Sequence, residues 1–107
     1  YRAFDPELKR DVAIKVPKAD ALTPELRARF RTEALAAAAI HHANVCPIYD
    51  VGTGDDGVPF LVMRYVPGGT LDGVLKARKK PYPARDAAAV VRKGALGVAA
   101  AHAKGVL

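Results

Sequence analysis

Two apolar runs, VCPIYDV (residues 45–51) and VPFLVMRYV (58–66), are separated by Gly52-Thr53-Gly54-Asp55-Asp56-Gly57. Each run is rich in β-branched and aromatic residues, and the connection is made almost entirely of turn formers, so the pair reads as an antiparallel hairpin. Pro47 and Pro59 sit near the strand starts, where a missing amide donor matters least. With 107 residues, half of them hydrophobic, the chain can form one small domain or part of one.

Residues 11–17 add a third strand. In VAIKVPK (12–18), Val12, Ile14 and Val16 point one way while Ala13 and Lys15 point the other. Lys15 therefore shares its face with a small apolar side chain, which leaves room for a flat ligand whose anionic part the ammonium can reach. An ordinary strand lysine on a solvated face fits the same pattern.

Thr23-Pro24-Glu25 is a helix start, with Thr as N-cap, Pro in the first turn and an acid near the positive end of the dipole. The helix is expected to run to about Ile40. Leu26, Phe30, Ala34, Ala37 and Ile40 form its apolar stripe, and at about 100° per residue Glu33 falls only about 20° from Leu26. A carboxylate facing a core needs a partner. Lys15, on the preceding strand, is one candidate. The alternative is that Glu33 reaches the edge of the stripe, where it hydrates or pairs with Arg29 at i−4.

Pro67-Gly68-Gly69 stops the last strand, Thr70 caps a short helix to about Leu75, and a long helix spans about Ala84–Ala103, with Gly105 as its stop. Strands with one inserted helix, then helices gathered at the end, give an α+β fold. No apolar run approaches the roughly 18 residues that span a bilayer, and the first ten residues lack a signal-peptide pattern. The single cysteine, Cys46, gives neither a disulfide framework nor a metal cluster and suits a reducing compartment. His41, His42 and His102 stand in no ligand or nucleophile pattern, so turn and packing roles are expected. The net charge of +6 is densest at Lys76, Arg78, Lys79 and Lys80. Tyr82 is the nearest aromatic and stands alone, so a nucleic-acid module is the weaker reading.

The residues also resemble a known family. Val12-Ala13-Ile14-Lys15, the helix segment Arg29-Phe30-Arg31-Thr32-Glu33-Ala34, the turn His42-Ala43-Asn44-Val45 and the stretch FLVMRYVPGGTL (60–71) follow one another as in the amino-terminal lobe and hinge of a protein kinase. AHAKGVL (101–107) resembles the end of the long carboxy-lobe helix that leads to the catalytic loop. The style is most similar to bacterial serine/threonine kinases of the eukaryotic-like type. The resemblance implies an α+β, protein-kinase-like antiparallel sheet, incomplete for want of its first strand and glycine-rich loop, with the helix the family calls αC, a hinge and two carboxy-lobe helices. Residues 1–107 would be a partial kinase domain, with 1–66 the amino-lobe portion and hinge and 67–107 the start of the carboxy lobe.

Carried over position by position, Lys15 would hold the α- and β-phosphates of ATP and Glu33 would orient it. Ala13 would lie against the adenine, Met63 would guard the back of the pocket, and Arg64, Tyr65 and Val66 would form the hinge, with main-chain groups of Arg64 and Val66 at the adenine edge. Thr70 would lie near the ribose. Ala37, Ile48 and Met63 would pack the helix onto the sheet. Arg64 stands where the family usually has an acid, and Ala43 replaces a common proline. The implied cofactors are ATP and Mg2+, the metal ligands lying outside this segment. The implied partners are ATP and protein serine or threonine hydroxyls, with no nucleic acid and no membrane segment, in the cytoplasm.

The family's glycine-rich loop, catalytic aspartate and metal-binding motif are not among these residues. The segment by itself is therefore expected to be inactive, and marginally stable because of its exposed sheet edge and uncovered last helix. A pseudokinase or scaffold lobe would share all of these residues, and the sequence beyond Leu107 would discriminate the two.

Overall fold

The computed structural model describes residues 1–18, 20 and 22–106. Chain order is β1 (Arg2–Asp5), β2 (Arg10–Lys15), α1 (Pro24–Ala38), β3 (Ile48–Thr53), β4 (Pro59–Arg64), α2 (Leu71–Ala77) and α3 (Ala84–Ala103). The strands form one antiparallel sheet in the order β1-β2-β4-β3. The hairpin expected from its turn residues is β3–β4, closed by Gly54 N–H to Val58 O at 2.9 Å and by Asp56 Oδ1, which accepts from Val58 N–H at 2.9 Å. Its first strand begins at Ile48 rather than Val45, because Val45–Pro47 still belong to the turn after the helix. Pro47 contributes only its carbonyl, which accepts from Arg64 N–H at 3.0 Å.

Strand β1 was not in the strand pattern read from the sequence. Its four residues, RAFD, carry charge at both ends, so they form a strand because β2 lies beside them. Arg2 pairs with Ala13 and Phe4 with Asp11, Ile14 N–H reaches Tyr1 O at 2.7 Å, and Arg2 bridges Asp11 at 2.8 Å.

Helix α1 starts where Thr-Pro-Glu placed it: Thr23 Oγ1 accepts from Leu26 N–H at 3.3 Å, and Pro24 occupies the first turn. It lies on β3 and β4. Ala34 and Ile40 are buried there with Leu61 of the sheet, whereas Val12, also buried, lies on the sheet's opposite face; with Pro59 at the start of β4 these are the buried apolar side chains among the described residues. Arg27 ties the helix to the hairpin, donating from Nη1 to Gly57 O at 2.8 Å.

Thr70 Oγ1 caps α2 through Gly73 N–H at 3.1 Å. Gly105, at φ 76°, ends α3 in the left-handed conformation that glycine adopts without strain, and Val106 N–H folds back to Ala101 O. Both helices present apolar residues to solvent, among them Leu71, Val74, Leu75, Val91, Leu96 and Val98. In α3 the buried position is Gly97, where an added Cβ would meet Asn44 O at 2.8 Å. The radius of gyration, 16.3 Å, exceeds the roughly 13 Å of a compact chain this long, and the accessible surface of 8303 Å² exceeds the roughly 5,700 Å² of a compact monomer of this mass. The excess reflects the thin contact between the sheet layer and the two later helices.

Candidate functional site

The β2–β4 register sets Ala13 opposite Met63 and Lys15 opposite Leu61, so alternation carries Ala13, Lys15 and Met63 to one face. These three, with Tyr1, Ile14 and Val16, line an open recess of about 330 Å³. The small Ala13 leaves its floor flat. Lys15, the last residue of β2, is exposed at the recess.

Glu33 is not at that recess. Its carboxylate accepts from Arg29 Nε at 2.7 Å, one helical turn away, with both side chains more than half exposed. The Lys15–Glu33 pairing is therefore not formed, and the local alternative is. The physical reason is where α1 rests: it packs chiefly on β3 and β4 rather than on the strand that carries Lys15. The amino-terminal half of its stripe overhangs a groove lined by Lys18, Leu22, Leu26, Arg29, Phe30 and Glu33. There an i,i+4 partner costs little ordering, whereas Lys15 would have to cross to the helix. Hydrogen bonding from Arg29 to Glu33, and then the Glu33 charge, hold the Arg29 guanidinium more firmly protonated than usual. An exposed pair of this kind is a weak restraint, which solvent and salt screen.

The expected hinge residues are split between regions. Arg64, Tyr65 and Val66 border a recess of about 400 Å³ with Asn44, Cys46 and Pro67. The Arg64 amide is taken by Pro47 O, which leaves only the Arg64 carbonyl open to a ligand. That carbonyl receives a long contact from Cys46 Sγ at 3.5 Å. The Arg64 side chain reaches Tyr49 Oη at 3.4 Å, and this hydrogen bond, then the tyrosine's charge, raises its already high pKa. Thr70 lines neither recess and caps α2. Ile48 faces Met63 across the hairpin, and Ala37 is half-buried on α1. Among the described residues no three His, Cys, Asp or Glu side chains are grouped to share a metal ion, and no helix is long and apolar enough to cross a membrane.

Among the contacts that sequence reading missed are the Arg27–Gly57 tie and the stacking of Arg10 on the Tyr49 ring, 3.7 Å from its centroid. Both join residues far apart in the chain, and no local pattern announces them.

A four-stranded antiparallel sheet with one long helix across two of its strands, continued by a short extended segment into two further helices, is consistent with part of a protein kinase's amino-terminal lobe. The family model for protein tyrosine and serine/threonine kinases matches residues 2–107, and the chain belongs to that family. Among its relatives it is 42% identical over 91 residues to a probable serine/threonine-protein kinase of Streptomyces coelicolor, covering 79% of this chain. It is 36% identical over 111 residues to the serine/threonine-protein kinase PknB of Mycobacterium leprae and 41% identical over 108 residues to PknL of Mycobacterium bovis, both across 100% of this chain. The chain spans 13%, 18% and 27% of the lengths of these three relatives.

Proposed function

We propose that this chain is part of an ATP-dependent kinase that phosphorylates serine or threonine side chains of proteins, and that it supplies one wall of the nucleotide site. The observation that carries the reading is the shared recess of Ala13, Lys15 and Met63 in a chain of this family. The residues fit a nucleotide. A flat floor beside Ala13 accepts a planar base, an exposed ammonium at its end can bind phosphate oxygens, and the open Arg64 carbonyl is an acceptor for an exocyclic amine.

When bound, ATP supplies the transferable γ-phosphoryl group. The chain's own residues position and neutralise. Lys15 would hold phosphate oxygens, Ala13 and Met63 would keep the base oriented and shielded from water, Tyr65 and Val66 would border its edge, and Thr70 would approach the ribose with the hydroxyl hydrogen its capping bond leaves free. Glu33 would leave Arg29 to hold Lys15 when α1 moves toward β2. Magnesium would be held by groups elsewhere in the parent, as would the acceptor hydroxyl, so these 107 residues alone would transfer nothing. On this reading 1–66 and 67–107 divide between the two lobes, and the site works in the cytoplasm, where ATP is supplied.

The test is ATP-dependent autophosphorylation of the intact parent carrying Lys15→Met. A fall of about a hundredfold or more is expected, because preorganised charge at a transferring phosphate is worth that much. Undiminished activity would refute the role given to Lys15. The pairing of Glu33 with Arg29 favours a second reading, a lobe that binds nucleotide or protein without catalysis. Nucleotide binding by the wild-type parent with no phosphate incorporation would support it.

A further inference from the structure

Charge is distributed unevenly along the chain. Residues 1–70 hold nine Lys or Arg and nine Asp or Glu, whereas residues 71–107 hold eight Lys or Arg against two Asp or Glu. The whole formal charge of +6 therefore resides in the second part. Its densest portion is the corner between α2 and α3, where Lys76, Arg78, Lys79 and Lys80 are all exposed and Arg85 follows in the first turn of α3. Within this corner Lys76 is engaged, by Asp72 at 2.7 Å, and that pair is itself solvent-exposed. The Arg78 guanidinium lies over the Tyr82 ring, 4.7 Å from its centroid. Pro81 and Pro83 flank that tyrosine and restrict the backbone, so a binding partner finds the segment partly ordered already.

We propose that this corner docks an acidic segment of a partner protein. Concentrated, largely unpaired positive charge draws carboxylates by long-range attraction and holds them by exposed ion pairs. A nucleic acid would want stacking platforms, but Tyr82 is the sole aromatic of residues 66–107 and Arg78 covers one of its faces. A lipid surface would want an apolar anchor interleaved with the charge; residues 76–86 contain no Val, Leu, Ile, Met, Phe or Trp, and the exposed Leu71, Val74 and Leu75 all precede the basic run on α2. Extended acidic peptide needs neither. The inference goes beyond the kinase reading and does not require it, because docking can be measured without nucleotide.

The experiment is fluorescence anisotropy of a short fluorescein-labelled poly-glutamate peptide with the full-length protein that contains this segment. Binding is expected at low salt and should weaken several-fold at about 0.15 M, where charges separated by more than about 8 Å are screened. R78A/K79A/K80A should weaken it about tenfold. K9N/K18A/R31A removes the same formal charge elsewhere and should leave it within about twofold, while D72N, which releases Lys76, should tighten it about twofold. Circular dichroism checks the fold; if the alanine triple does not fold, K79E and K80E singly replace it, with the same expected sign. Equal losses from the two triples would overturn the proposal, as would absence of peptide binding. Tighter binding of single-stranded DNA or phosphatidylserine vesicles through the same residues would overturn it too.

Discussion

The sheet with α1 and the pair α2–α3 follow the same local rules and reach different ends. Thr23 and Thr70 cap their helices by the same bond, each hydroxyl oxygen accepting from the amide three residues on. Yet Val12, Ala34, Ile40, Pro59 and Leu61, the buried apolar side chains among the described residues, all lie in the first region, while the second buries Gly97 and presents its apolar faces to water. Capping and propensity are enough to make a helix. Only packing makes it part of a core.

The largest expected break in that comparison is Leu61→Ala, which should cost this chain about 2–5 kcal/mol in urea unfolding, because the side chain is 7% exposed. Val91→Ala in α3, where Val91 is 70% exposed, should change stability by no more than about 0.5 kcal/mol. If the two changes cost the same, the regions are packed alike and the contrast fails. Next in size are two glycines of one helix, expected to respond with opposite signs. Gly97→Ala should destabilise by about 1–3 kcal/mol, because the new methyl meets the Asn44 carbonyl. Gly94→Ala meets nothing within 4 Å and should stabilise by about 0.5–1 kcal/mol. Melting temperatures of the two variants, measured side by side, check both signs.

The smallest effect concerns the start of α1. The Glu25 carboxyl accepts from its own backbone N–H and from Thr23, which holds its pKa below the ordinary carboxylate value. A depressed folded pKa contributes stability that is complete above the unfolded value and lost as pH falls through the folded one. Glu25→Gln should therefore flatten a slight loss of stability on acidification, visible in pH-dependent melts. An unchanged acid limb would remove the carboxylate from the cap.

What was legible in the sequence was what neighbours in the chain decide. Thr23-Pro24-Glu25, the 52–57 turn and the limits of α3 needed only capping, turn chemistry and propensity. Strand β1 was not legible, because RAFD becomes a strand only through the residues of β2 beside it. The site divides along the same line. Alternation put Ala13 and Lys15 on one face, and the register added Met63. The partner of Glu33 depended on which strands α1 covers, and a helical wheel gives a direction without saying what lies beneath it. Arg27 makes the same point: its neighbours in the chain do not announce that it ties the helix to the hairpin at Gly57.

Where α3 passes Asn44, the spacing is set by an atom that is not there: a Cβ at Gly97 would lie 2.8 Å from the Asn44 carbonyl oxygen and 3.3 Å from the Val45 side chain. Only a hydrogen fits in that gap, so the residue at position 97 works as a shim whose thickness sets how near the last helix can come to the turn after α1.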